Sequence, residues 1–142
     1  MKKVAQDMTE FRKVTDVFSV APQIEPGDIA AAAAKGFVMV INNRPDGEEP
    51  GQPTNAEMEA EAKKAGIAYH YVPVRGMPTQ DQIDAEQGYI EAATGPVLAY
   101  CRSGTRSIVT WSVGQSQTGL RSNQDLIALG AAAGYDLSGV LP

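Results

Sequence analysis

Pro96-Val97-Leu98-Ala99-Tyr100-Cys101-Arg102-Ser103-Gly104-Thr105-Arg106-Ser107 is the stretch that decides how this chain is read. A short apolar run ends on a cysteine, a glycine-containing loop follows, and a helix is expected from about Ser107. Backbone N–H groups in such a loop point inward, and the helix N-terminus adds its unpaired donors and positive dipole end. That geometry holds an anion, and the same donors favour a thiolate at the cysteine. Arg106 stands where its planar fork can clamp two oxygens of a tetrahedral oxyanion, or the thiolate itself. Ser107, at the loop–helix junction, can donate its hydroxyl to the thiolate or to the group leaving it. A cysteine buried only for packing has no need of two guanidinium groups beside it. The segment reads as a Cys-based anion loop, with Arg102, Ser103, Gly104 and Thr105 as its walls.

Working outward, the same alternation of strand and helix recurs. Phe37-Val38-Met39-Val40-Ile41-Asn42 is continuously apolar and rich in β-branched residues, as in a strand covered on both faces. Ile67 to Val74 is another of the kind, and Val17 to Ala21 is expected to be an earlier strand. Pro26 and Gly36 bracket a first helix. Thr54 with Glu57 and Thr79 with Gln82 are capping boxes for two more, the first closed by Gly66 and the second running to about Ala93. Ser107 to Gln117 and Ser122 to about Gly134 complete the set. Crossover helices between strands demand parallel neighbours with helices packed on the sheet. The expected fold is α/β: a three-layer sandwich with a mostly parallel sheet of four or five strands flanked by helices.

Composition bounds the function. The 142 residues make room for one domain, read as 1–142, with 43% hydrophobic and 20% charged residues. A formal net charge of −5 argues against a nucleic-acid partner. No run approaches the ~18 apolar residues of a membrane span. Met1 to Asp7 has basic residues but no apolar core of a signal peptide, so a cytoplasmic protein is expected. One cysteine and one histidine exclude a disulfide framework and a His/Cys metal cluster, and no cofactor is implied.

The polar, turn-rich stretch Asn42 to Pro53 starts at the carboxyl end of a strand, the edge where open α/β sheets bind ligands. Asn42, Asn43 and Arg44 are candidates for shaping the pocket, with Arg44 adding charge for a dianion. Asp46 is a candidate general acid, although Pro-Asp-Gly with Glu48 and Glu49 reads more simply as a solvated turn. Arg75, ending its strand, is better placed to face the pocket than His70, which reads as a packed or surface side chain. Trp111 and Val113 are core positions, and Glu57, Glu59, Glu61, Lys63 and Lys64 form a solvated helix face.

Two segments, Ile41 to Pro53 and Ala99 to Ser107, resemble the hallmark stretches of the phosphatase-like domain of beta-lactamase-hydrolase-like proteins, over roughly Thr9 to Gln117. The resemblance implies the fold of dual-specificity tyrosine phosphatases, with Cys101 as nucleophile, Arg106 as oxyanion-binding arginine and Ser107 as supporting hydroxyl. Some members of that family stand alone and others are fused to metallo-hydrolase or sulfur-oxidising modules. The chain departs from the phosphatase pattern in three ways. Only Arg102, Ser103, Gly104 and Thr105 separate Cys101 from Arg106, one residue fewer than in phosphatases and similar to rhodanese-type sulfurtransferases. Tyr100 replaces the usual histidine. Arg75-Gly76-Met77-Pro78-Thr79 lacks the acid-bearing aspartate, and Asp81 already lies in the next helix. Phosphate-ester cleavage with a poor leaving group wants that acid, and sulfur transfer does not. Three readings follow. The first is a sulfurtransferase working through a Cys101 persulfide, with a small oxyanion or persulfide donor and an acceptor thiol. The second is a phosphatase-type hydrolase working through a Cys101 phospho-enzyme. The third is a non-enzymatic module that binds an oxyanion or senses oxidants.

Overall fold

The computed structural model describes residues 10–141, so the reading of Met1 to Asp7 lies outside the described residues. Five strands form one sheet: β1 Arg12–Thr15, β2 Phe18–Ala21, β3 Met39–Asn42, β4 Ala68–Tyr71 and β5 Val97–Tyr100. Their order is β1-β2-β5-β3-β4, with β2, β5, β3 and β4 parallel and β1 antiparallel to β2. The helices are α1 Pro26–Ala34, α2 Asn55–Ala65, α3 Gln80–Ala92, α4 Thr105–Gln117 and α5 Asn123–Ala132.

Alternation along the strands builds two cores. Phe18, Val20, Met39, Ile41, Val97 and Ala99 meet Ile108 and Trp111 of α4 and Leu126 of α5. Val40, Leu98 and Tyr100 point the other way, onto Ile29 and Ala32 of α1 and Met58 and Ala62 of α2. β2, β3 and β5 are buried along their whole length, which is why they are dominated by apolar residues, with Ser19 and Asn42 as buried polar exceptions. Both expected capping boxes are present, and Gly66 closes α2 at φ 72°. Trp111 is buried and stacks on Phe18.

The structure corrects three expectations. The strand expected over Ile67 to Val74 is an edge strand of four residues, β4, with Ala68 exposed and Tyr69, His70 and Tyr71 half-buried. Parallel crossovers do not describe the start of the sheet, where β1 and β2 form a hairpin with a register shift between Lys13 and Thr15. α4 begins at Thr105 rather than Ser107, which puts Arg106 inside its first turn. Among the described residues no helix is long and apolar enough to cross a membrane.

Candidate functional site

Cys101 follows β5 directly and is fully buried. The loop after it is held by its carbonyls. That of Arg102 accepts from the Gln23 N–H at 3.2 Å, and that of Ser103 accepts from the Tyr135 hydroxyl at 2.8 Å. A trans peptide points its N–H opposite to its C=O, so pulling the carbonyls outward turns N–H groups toward the loop interior. The Gly104 N–H accordingly donates to Cys101 Sγ at 3.1 Å. Gly104 is needed twice over: its φ of 92° is left-handed, and a Cβ there would collide with the Tyr135 hydroxyl. Ser103 and Thr105 bond each other through their hydroxyls at 3.0 Å on the exposed rim. Ser107 is buried behind the loop, and no described residue bonds its Oγ.

Arg106 places its fork on Glu48, Nη1 to Oε2 at 2.7 Å and Nη2 to Oε1 at 2.9 Å, while Nη1 also donates to the Val74 carbonyl at 2.8 Å. Glu48 accepts in addition from Arg44 Nε at 2.9 Å. The hydrogen bond from Arg106 and that from Arg44 outweigh partial burial and hold the Glu48 carboxyl down to about 2. Arg106 is shifted upward, chiefly by its hydrogen bond to Glu48, with Cys101 adding a smaller push in the same direction. Arg44 is 1% exposed and is spent on Glu48, Glu49 at 3.1 Å and Gln23 at 3.1 Å.

The remaining candidates fall on the same sheet edge with different partners. Asn42 donates to the Tyr69 hydroxyl at 3.1 Å, and its Oδ1 accepts from the Arg44 N–H at 2.8 Å. Asn43 bonds the Tyr100 carbonyl through its N–H, and its Nδ2 donates to the Val72 carbonyl and to Glu86 Oε1 at 2.6 Å. Burial pushes the Glu86 carboxyl up to about 8 against that donation. Asp46 accepts from the Asn55 N–H at 2.8 Å, so its carboxylate satisfies a free donor at the start of α2. Arg102 and Arg75 are exposed on the rim. His70 stacks on Tyr89 at 3.6 Å between centroids, and burial lowers its pKa.

Sequence reasoning passed over Glu48, Glu86 and Tyr135. Glu48 looked like part of a solvated turn, yet its side chain keeps only 23% of its surface. Its i,i+4 spacing to Arg44 was the one local signal. Glu86 and Tyr135 meet their partners 43 and 32 positions away, where no local spacing points to them.

The chain is similar to known proteins over most of its length. It is 36% identical over 126 residues to the beta-lactamase hydrolase-like protein of Agrobacterium fabrum, covering 88% of this chain and 29% of that one. The chain thus spans under a third of the curated relatives it matches. Among solved structures, a candidate phosphatase of Neisseria meningitidis aligns with TM-score 0.79 at 30% identity, covering 91% of this chain and 92% of that one. Tk-PTP in its active form aligns with TM-score 0.69 at 18% identity over 90% and 87% of the two chains, a likeness of fold. Residues 10–118 match the phosphatase-like domain of beta-lactamase hydrolase-like proteins, and with the Cys101 loop in place on this sheet the chain belongs to that family.

Proposed function

We propose that Cys101 is the thiolate nucleophile of a group-transfer enzyme and that the group it takes is a sulfane sulfur. The observation that supports this best is the state of the carboxylates near the loop. Glu48 is held ionised on the Arg106 fork, and Asp46 is bonded to the start of α2. The Asp46 carboxyl is engaged by the Asn55 N–H, the neutral Glu86 is buried against Asn43, and Glu48, being ionised, offers no proton. Expelling an alkoxide from a phosphate ester needs one, whereas sulfite or a thiolate departs as the anion. Cys101 would attack the outer sulfur of a donor such as thiosulfate. The new S–S bond forms as the donor's S–S bond breaks, and sulfite carries off the bonding pair. The terminal sulfur of the persulfide is then removed by an acceptor thiolate or cyanide, which regenerates the Cys101 thiolate. Arg106 and the loop N–H groups would stabilise the anionic persulfide. Ser107, buried with an unbonded Oγ, would donate to the sulfur. Arg102, Ser103 and Thr105 would face the entering anion, Arg75 would add charge at the rim, and Asn42, Asn43 and Arg44 would fix the neighbouring loop.

A second reading has its own support in the phosphatase-like family and fold. Here Cys101 would form a phospho-enzyme that water hydrolyses, with aryl phosphates whose leaving groups need no acid as the substrates. Intact-protein mass spectrometry separates the two. Thiosulfate should add one sulfur to the wild type and nothing to Cys101→Ser. A phospho-adduct from an aryl phosphate, with no sulfur adduct, would reject sulfur transfer in favour of hydrolysis.

A further inference from the structure

One peptide group of the anion loop is gripped at both ends. The Ser103 carbonyl accepts from the Tyr135 hydroxyl at 2.8 Å, and the N–H of the same peptide, that of Gly104, donates to Cys101 Sγ at 3.1 Å. Behind Tyr135 stands a cation that is itself paired with Glu10 at 2.9 Å. Arg12 on β1 donates from Nη1 to the Tyr135 oxygen at 2.9 Å, and its guanidinium lies 5.3 Å above the centre of the Tyr135 ring. From these contacts we infer that Arg12 and Tyr135 are positioning residues for Cys101, forming a relay that polarises the Ser103–Gly104 peptide and aims its N–H at the sulfur.

The chemistry of each link favours a negative sulfur. A hydroxyl that accepts from a guanidinium becomes a stronger donor, and a carbonyl that accepts from it makes its own N–H a stronger donor in turn. The chain runs in one direction, from the Arg12 cation to the sulfur. Tyr135 keeps its proton near neutrality, because burial raises its pKa more than Arg12 lowers it. The relay also explains the tight fit at Gly104, since any Cβ there would push the Tyr135 hydroxyl off the carbonyl. Tyr135 lies beyond residues 10–118, the stretch that matches the family, so this support comes from the chain's C-terminal segment.

The inference rests on Cys101 being the reactive group and is tested without any substrate. The rate of Cys101 alkylation by iodoacetamide is measured near neutrality and again above about pH 10, where an ordinary thiol is fully ionised. The ratio of the two rates cancels differences in access to the buried sulfur. Tyr135→Phe removes only the hydroxyl, and the ratio should fall by on the order of threefold to tenfold, the effect of one hydrogen bond. Arg12→Met removes the cation and keeps the aliphatic stem, and should lower the ratio in the same direction by less. The other charged groups around the relay and the loop are common to all three proteins: Glu10 beside Arg12, Arg106 on α4, Arg102 in the loop, Glu48 and Arg44 after β3, and Glu86 on α3. Circular dichroism confirms that each variant is folded. If Tyr135→Phe does not fold, Arg12→Met alone decides. A ratio equal to the wild type's in a folded variant overturns the relay. A wild-type ratio no higher than that of a free thiol counts instead against the nucleophile reading, so the two failures are distinct.

Discussion

Two glutamates approach the carboxyl edge of the sheet from opposite directions, and the protein treats them in opposite ways. Glu48, on the loop after β3, sits between two guanidinium groups and is held down to about 2. Glu86, on α3, is 1% exposed, has one amide donor and is pushed up to about 8. The side chain is the same, and only the surroundings differ: cations favour the charged form, and desolvation favours the neutral one. Near neutrality Glu48 is therefore a fixed anion that locks the Arg106 fork. Glu86 is an uncharged hydrogen-bond partner that fixes Asn43, the residue after β3. Charge at this edge is decided by packing.

The largest expected effect tests the buried member. A carboxyl ordinarily near 4.5 that titrates at about 8 in the fold holds an extra proton between those values, so stability falls as pH rises through that window and stays lower above it. Glu86→Gln should abolish that fall and leave the variant more stable than wild type above about pH 8, by on the order of 3–5 kcal/mol. Urea midpoints measured at several pH values decide it, and parallel curves for the two proteins would mean that Glu86 is not a buried neutral acid. Next comes the fork that Glu48 holds. Arg106→Lys keeps the charge but loses bidentate geometry, and should cost on the order of 2–4 kcal/mol in kcat/KM on whichever donor proves active.

Glu48 itself follows. Its depressed value contributes stability that is present above about 4.5 and lost as pH falls through about 2. Glu48→Gln, discounted for solvent screening of this exposed residue, should remove on the order of 1 kcal/mol at neutral pH and flatten the acid limb of the stability profile. An unchanged acid limb would show that the ion pair is not formed in solution. The smallest effect belongs to Arg102, exposed on the loop rim. Arg102→Ala should slow turnover by less than about tenfold at low ionic strength and hardly at all in high salt, because a rim charge acts through screened attraction. If Arg102→Ala matches Arg106→Lys in high salt, Arg102 is a clamp and not a steering charge.

What could be read from the sequence was local. Thr54 with Glu57 and Thr79 with Gln82 start helices by bonding three residues away, and both are found in place. The central strands β3 and β5 announced themselves as apolar runs. Arg12 to Thr15 did not, because it buries only Val14 and turns back through Asp16 and Val17 without the glycine or asparagine that marks a hairpin. At the site, the run from Cys101 to Ser107 was legible because its chemistry is contiguous. Glu48 meets Arg106 58 positions away, and its ionisation is set by that encounter. No window of sequence contains both.

The segment after α4 has a practical consequence for where the unit can be cut. Leu126 on α5 and Leu137 beyond it are buried in the same core as the central strands, and Tyr135 between them reaches the Ser103 carbonyl. A fragment trimmed at residue 118, where the match to the phosphatase-like domain model ends, would keep every residue from Cys101 to Ser107. It would also open one face of the sheet to water and release the loop from its hydroxyl anchor. The border of that domain match falls short of the border drawn by burial, and any fusion or minimal domain made from this chain has to respect the second.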